Sequence, residues 1–126
     1  MPSKRFRYEY VEVLSIHDGD TITVSVDLGL GVTKHRETIR LYGINTPEMN
    51  CERGKHARAF LEEMLDGATV ELSTFRNNRT NADKREKYGR YLAVVWATKK
   101  PGIAVNVNQA LLMAGHAVAF MDTESE

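Results

Sequence analysis

Three short stretches of this 126-residue chain carry residue types suited to chemistry on a phosphate ester. The first is Asp18-Gly19-Asp20-Thr21, with two carboxylates one residue either side of a glycine. The second runs Arg40-Leu41-Tyr42-Gly43-Ile44-Asn45-Thr46-Pro47-Glu48, and the third is Lys87-Tyr88-Gly89-Arg90. Carboxylates meet a hard divalent cation through oxygen, and backbone carbonyls, amide oxygens and water complete the shell. An arginine fork matches two phosphate oxygens. Glutamate is ionised at neutral pH, so Glu48 has a carboxylate able to take a proton from water. Pro47 pushes Thr46 into an extended conformation, which would hold the Thr46 carbonyl in one direction. Each stretch also has a plainer reading. Asp and Gly are common turn residues, and a lone strand arginine such as Arg40 usually faces solvent. Thr46-Pro47 can cap and open a helix. Lys87 to Arg90 can be a basic turn.

The elements needed to position these groups are legible in outline. From Thr21 onward, Ile22, Val24, Val26 and Leu28 alternate with Thr23, Ser25 and Asp27, the period of a half-buried strand. Gly29-Leu30-Gly31 predicts a reversal, followed by a second strand from about Lys34 to Ile44. Tyr8 to Ile16 alternates less cleanly. Gly43 inside a strand points to a bulge or a close backbone approach. Ala57, Phe60, Leu61, Met64 and Leu65 recur at helical spacing, and Gly67 is a natural stop for that helix. Val70 to Phe75 and Tyr91 to Ala97 read as strands, with Trp96 in the core. Asn106 is a good cap for a short helix carrying Val107, Ala110, Leu111 and Ala114, with Gly115 at its end. Ala117 to Met121 fits a last short strand. The pattern predicts an α+β chain dominated by a small barrel. At this length the five-stranded OB-fold is the natural candidate, with two added helices.

Composition limits the alternatives. The length predicts a single domain, 1–126, with an ordered core of about 8–121. Cys51 is the only cysteine, so no intrachain disulfide and no thiolate zinc cluster can form. His17, His35, His56 and His116 fit no zinc spacing, and Met49, Met64 and Met113 read as packing residues. Net formal charge is zero, so any nucleic-acid binding must come from local clusters. One such cluster is Arg76, Arg79, Lys84, Arg85, Lys87 and Arg90, whose plainer reading is a solvated loop. No apolar run is long enough for a transmembrane helix. No apolar stretch backs the basic N-terminal residues, so the sequence as it stands predicts a cytoplasmic chain without a signal peptide. The tail, Asp122 to Glu126, is acidic.

The succession of DGDT, R-L-Y-G-I-N-T-P-E and K-Y-G-R-Y-L-A, with V-N-Q-A-L-L-M-A-G later, resembles the staphylococcal nuclease (thermonuclease) family. The resemblance covers roughly Val11 to Phe120. It implies an OB-fold barrel with added helices, calcium-dependent hydrolysis of DNA and RNA, and products with 3′-phosphate and 5′-hydroxyl ends. By position it makes Asp20 a direct metal ligand, Thr46 a ligand through its carbonyl, and Asp18 a ligand through water. Arg40 and Arg90 would bind the scissile phosphate, Glu48 would be the general base, and Lys87 and Tyr88 would contact substrate. The expected substrate is nucleic acid, preferably single-stranded, and the expected state is a monomer.

The chain also departs from the family pattern. Asn45 stands where well-known members have an aspartate, which predicts weaker metal affinity or a site relying more on substrate phosphate. Phe120 stands where a tyrosine is expected near the final strand, so one phenol contact is lost. The basic loop from Arg76 to Lys87 looks longer than the prototype's, and the prototype's C-terminal helix is missing. Two rival readings follow. One is a catalytically silent nucleic-acid or protein binding module of the same fold, for which Asn45 is the one argument. The other is a small OB-type domain for protein contacts, which leaves the joint presence of Asp20, Arg40, Glu48 and Arg90 unexplained.

Overall fold

The computed structural model of the chain describes residues 5–75 and 89–120. Strands β1 (Arg5–Asp18), β2 (Thr21–Gly29) and β3 (Val32–Leu41) form an antiparallel meander. A two-residue strand, β4 (Ile44–Asn45), and helix α1 (Glu52–Leu65) follow. Then come β5 (Thr69–Phe75), β6 (Tyr91–Lys100), β7 (Ile103–Asn106), helix α2 (Val107–Met113) and β8 (Val118–Ala119). The main sheet runs β3-β2-β1-β5-β6-β7, and β3 also pairs parallel with β6. That last pairing closes β1, β2, β3, β6 and β5 into a ring. The result is the five-stranded OB-like barrel that the pattern predicts, with β7 added outside it. β4 and β8 form a separate two-stranded ribbon.

Closure requires strands to bend, and the sequence supplies the bends. β1 shifts register against β2 between Val13 and Ser15 and again between Ile16 and Asp18. It shifts against β5 between Tyr8 and Val11. Such irregularities sharpen local twist and let a strand curve around a barrel. In the core, Ile22, Val24, Leu41, Ile44, Leu72 and Val95 are at most 1% exposed. Each buried aliphatic side chain of this kind stabilises the fold by roughly 1.5–3 kcal/mol.

The helices close the barrel where the site lies. α1 buries Gly54, Ala57, Leu61 and Leu65, a single face at i, i+3, i+7 and i+11. It ends where Asp66 turns extended and Gly67 adopts φ +71°. It is tied to the end of β1 by Arg58, whose Nε donates to the Ile16 carbonyl at 3.0 Å. α2 has the predicted cap, Asn106 accepting from the Gln109 N–H at 3.1 Å. Asn108 on α2 is 5% exposed and fully engaged. Its Nδ2 donates to the Tyr42 and Ala93 carbonyls, and its Oδ1 accepts from the Val95 N–H. This side chain pins the turn after β3 to β6, fixing the path from Arg40 to Asn45.

Several expectations need correction. α1 begins at Glu52, so Thr46-Pro47 belongs to a loop rather than a helix start. β1 begins at Arg5 rather than Tyr8, and β3 ends at Leu41 rather than Ile44. β6 continues to Lys100, beyond the expected Ala97. Leu28 is 44% exposed because the hairpin tip projects beyond the core, and Met113 is 81% exposed at the end of α2. Trp96 is half-buried because it lies on the outer part of β6 beside β7, paired with Asn106. Strand β7, after the Pro101-Gly102 turn, was not anticipated. The acidic tail lies outside the described residues. No helix among the described residues is long and apolar enough to cross a membrane.

Candidate active site

The register of the meander sets the site. β2 opens at Thr21, which pairs with Arg40 near the end of β3, and Arg40 pairs on its other side with Leu92 of β6. The Leu41 N–H donates to the Asp20 carbonyl at 2.8 Å, so the Asp18-Gly19-Asp20 turn is fastened to β3. Arg90, just before β6, comes in beside it. Groups from three distant parts of the sequence therefore meet at one end of the barrel.

Asp20 is the hub. It is only 6% exposed. Its Oδ2 accepts from the Thr46 N–H at 3.1 Å and lies 3.8 Å from Arg40 Nη2. Its Oδ1 accepts from the Thr21 hydroxyl at 3.1 Å, and its N–H donates to Asp18 Oδ1 at 3.1 Å. Arg40, flanked in sequence by the core residues Ile39 and Leu41, is itself 7% exposed. Its guanidinium also donates to the Leu41 carbonyl and to Asn45 Oδ1, both at 3.4 Å, and stands 5.0 Å from the Phe120 ring centroid. Phe120 thus supplies an aromatic face to this cation even without a phenol. Arg90 Nη1 donates to the Thr21 hydroxyl at 3.5 Å. Asp18, Asp20, Arg40, Asn45, Thr46 and Arg90 are all joined in one network, and Thr21 is the link to Arg90.

Glu48 sits two residues after Thr46 in the loop before α1, with an exposed side chain. Among the described residues none hydrogen-bonds its carboxylate. Its backbone is held firmly. The Glu48 carbonyl accepts from the Cys51 N–H at 3.3 Å and the Cys51 thiol at 3.2 Å. It also fills the space where Gly54 lacks a side chain, since a Cβ there would overlap it and press on the Pro47 carbonyl. Gly19 has a matching role: a Cβ would lie 2.8 Å from the Ala57 Cβ and 2.9 Å from the Thr46 hydroxyl. Gly54 and Ala57, one helical turn apart on α1, therefore receive both the Glu48 loop and the Asp18-Asp20 turn. Lys87 and Tyr88, and the cluster Arg76, Arg79, Lys84 and Arg85, lie outside the described residues.

The sequence assigned no role of their own to Gly19, Thr21, Gly54 and Asn108. Thr21 stood inside the DGDT motif, so a signal was present. Gly54 and Asn108 gave none, because their importance depends on docking between elements.

The charges are unevenly poised. Burial, followed by the neighbouring Asp20, pushes the Asp18 carboxyl above its ordinary range. For Asp20 burial works the same way, but the Asp18 carboxyl, the Thr46 N–H, Arg40 and the Thr21 hydroxyl outweigh it. The Asp20 carboxyl is held below its ordinary range. A carboxyl raised in the folded state contributes stability at low pH that is lost as pH rises through its folded value. Asp18→Asn should therefore raise the stability of the metal-free protein at pH 7, with the advantage vanishing in acid. Thermal melts with chelator at pH 7 and pH 4 check this; equal melting temperatures at pH 7 would contradict it.

The donors present suit a hard cation: two carboxylates, the Asn45 amide oxygen and the Thr46 carbonyl, all oxygen. The strained Asp18–Asp20 pair would be relieved by added positive charge. No three His, Cys, Asp or Glu side chains converge among the described residues. Any such ion would rely on water and phosphate oxygens for the rest of its shell.

A closed five-stranded barrel with this polar network at its end defines an OB-like α+β class of protein. Residues 38–126 match the family model for staphylococcal nuclease homologues, and the chain belongs to that family. An uncharacterized protein of Bacillus anthracis is 32% identical over 113 residues, covering 85% of this chain and 45% of the relative. One from Methanocaldococcus jannaschii is 31% identical over 134 residues, 89% of this chain and 59% of the relative. An Escherichia coli protein named as an uncharacterized endonuclease is 31% identical over 105 residues, 83% of this chain and 57% of the relative. The chain thus spans about half the length of these curated relatives.

Proposed function

We propose that the protein is a calcium-dependent nuclease that hydrolyses phosphodiester bonds of DNA or RNA, preferring single strands and acting as a monomer. The observation that carries this reading is the single network joining Asp20, Arg40, Thr46 and, through Thr21, Arg90. Two nearly buried opposite charges are expensive to desolvate, and a purely structural barrel has no need of them at its rim. The name of the Escherichia coli relative supports the same class of activity.

Asp20, Asp18, Asn45 and the Thr46 carbonyl are the residues that would hold the ion. When bound, calcium would neutralise charge on the phosphoryl group and favour ionisation of nearby water. Arg40 and Arg90 grip two non-bridging oxygens of the scissile phosphate and stabilise the charge that grows on them. The Glu48 carboxylate accepts a proton from the attacking water, whose oxygen bonds to phosphorus. The P–O5′ bond breaks, and the leaving oxygen takes a proton from solvent, giving 3′-phosphate and 5′-hydroxyl ends. By the family resemblance, Lys87 and Tyr88 contact the flanking nucleotide.

Labelled single-stranded DNA incubated with calcium or with chelator tests the reading. Calcium-dependent fragments support it; retention without cleavage points to the silent binding module. Asn45 is the feature that favours that second reading, since an amide brings no charge to the ion. Asn45→Asp should tighten calcium binding by roughly tenfold, because affinity at oxygen sites follows ligand charge. Calorimetric titration measures this, and unchanged affinity would show that Asn45 is not near the ion.

A further inference from the structure

Beside the Asn45–Pro47 segment opens a cleft of about 180 Å³. It is lined by Pro47, His116 and Val118, among others, and by Arg53 from the first turn of α1. Asn45 and Thr46, which belong to the proposed reaction centre, also line the cleft. We propose that this cleft is a second phosphate subsite, which holds a phosphodiester group of the substrate strand next to the scissile one. The inference rests on the nuclease reading above.

Size is the first argument. Sites that enclose a whole small molecule measure roughly 300–1,000 Å³. This cleft is smaller, so it suits one sugar–phosphate unit of a chain gripped elsewhere. Charge is the second. Arg53 is exposed and has no ion pair among the described residues. The adjacent carboxylate, Glu52, is engaged by Lys55 at 4.0 Å and His56 at 3.8 Å. A guanidinium fork lining a cleft is well matched to phosphate oxygens.

Position is the third argument. Asn45 lies between the two sites: it lines the cleft, and its Oδ1 accepts from Arg40. A strand whose phosphate rests on Arg40 passes this segment as it leaves. The walls suit a sugar, being apolar at Pro47 and Val118. The His116 ring packs against Phe60, with centroids 4.7 Å apart.

The test is binding rather than turnover. Fluorescence anisotropy of a labelled oligothymidylate in chelator, titrated with salt, reads each phosphate contact directly. On single strands each contact contributes about 0.7 to the slope of log K against log salt. Arg53→Ala should weaken binding several-fold and reduce that slope by about 0.7, while Arg53→Lys keeps the slope. Arg90→Ala is the companion variant. If Arg90→Ala weakens binding and Arg53→Ala matches the wild type, the subsite is wrong and the nuclease site stands. If the wild type binds no oligonucleotide, both fall. Arg53 is exposed, so its variants are expected to fold.

Discussion

Arg40→Ala is expected to reduce calcium-dependent cleavage of single-stranded DNA by on the order of 10²-fold or more, the usual loss when one preorganised donor to a developing oxyanion is removed. The same change should unsettle the fold. Arg40 and Asp20 are buried together with Nη2 and Oδ2 3.8 Å apart. Removing one partner of a buried pair typically costs about 3–5 kcal/mol, because the remaining charge is left without compensation. Activity and stability can be separated with Arg40→Lys. Lysine restores a positive charge for Asp20 but not a fork for two phosphate oxygens. It should recover much of the stability and little of the rate. Near-full cleavage by Arg40→Ala would overturn the assignment of this residue.

Glu48→Gln should behave in the opposite way. Its side chain is exposed and has no hydrogen-bond partner among the described residues, so the melting temperature should hardly move. Loss of a positioned general base should lower kcat by about 10²- to 10⁴-fold, with KM little changed. Single-turnover cleavage assays with matched thermal melts measure both. A variant that cuts at the wild-type rate would remove Glu48 from the reaction. A variant that loses rate only by unfolding would do the same.

These two residues also mark the limit of what the chain discloses before folding. The barrel was readable because Ile22, Val24 and Val26 alternate strictly, and because Ala57, Leu61 and Leu65 recur at helical spacing. The Asn106 cap was readable because capping is a local event. Strand β7 was not, since Ile103, Ala104 and Val105 are all exposed and show no inside–outside alternation. The fate of Arg40 was open for a different reason. Nothing in its neighbourhood reveals that Asp20 will sit against it, because that contact depends on the pairing of Thr21 with Arg40. Gly54 is equally opaque. Its φ is ordinary, and its lack of a side chain matters only once the Glu48 carbonyl docks there. Residues whose role comes from the approach of a remote segment leave no trace in local pattern. The family resemblance implies a phosphate-binding role for Arg40 and none for Gly54.

The parallel seam between β3 and β6 has a bearing on when this protein can act. It joins Ile39, Arg40 and Leu41 to Tyr91, Leu92 and Ala93, partners far apart in sequence, and parallel contacts of that range are slow to form. The same seam aligns the two proposed phosphate-gripping arginines. A nascent or half-folded chain, with its seam still open, would hold those cations apart and leave any bound strand intact. On the proposed nuclease reading, the fold would then carry its own safety catch, since the two cations meet only once this seam is closed.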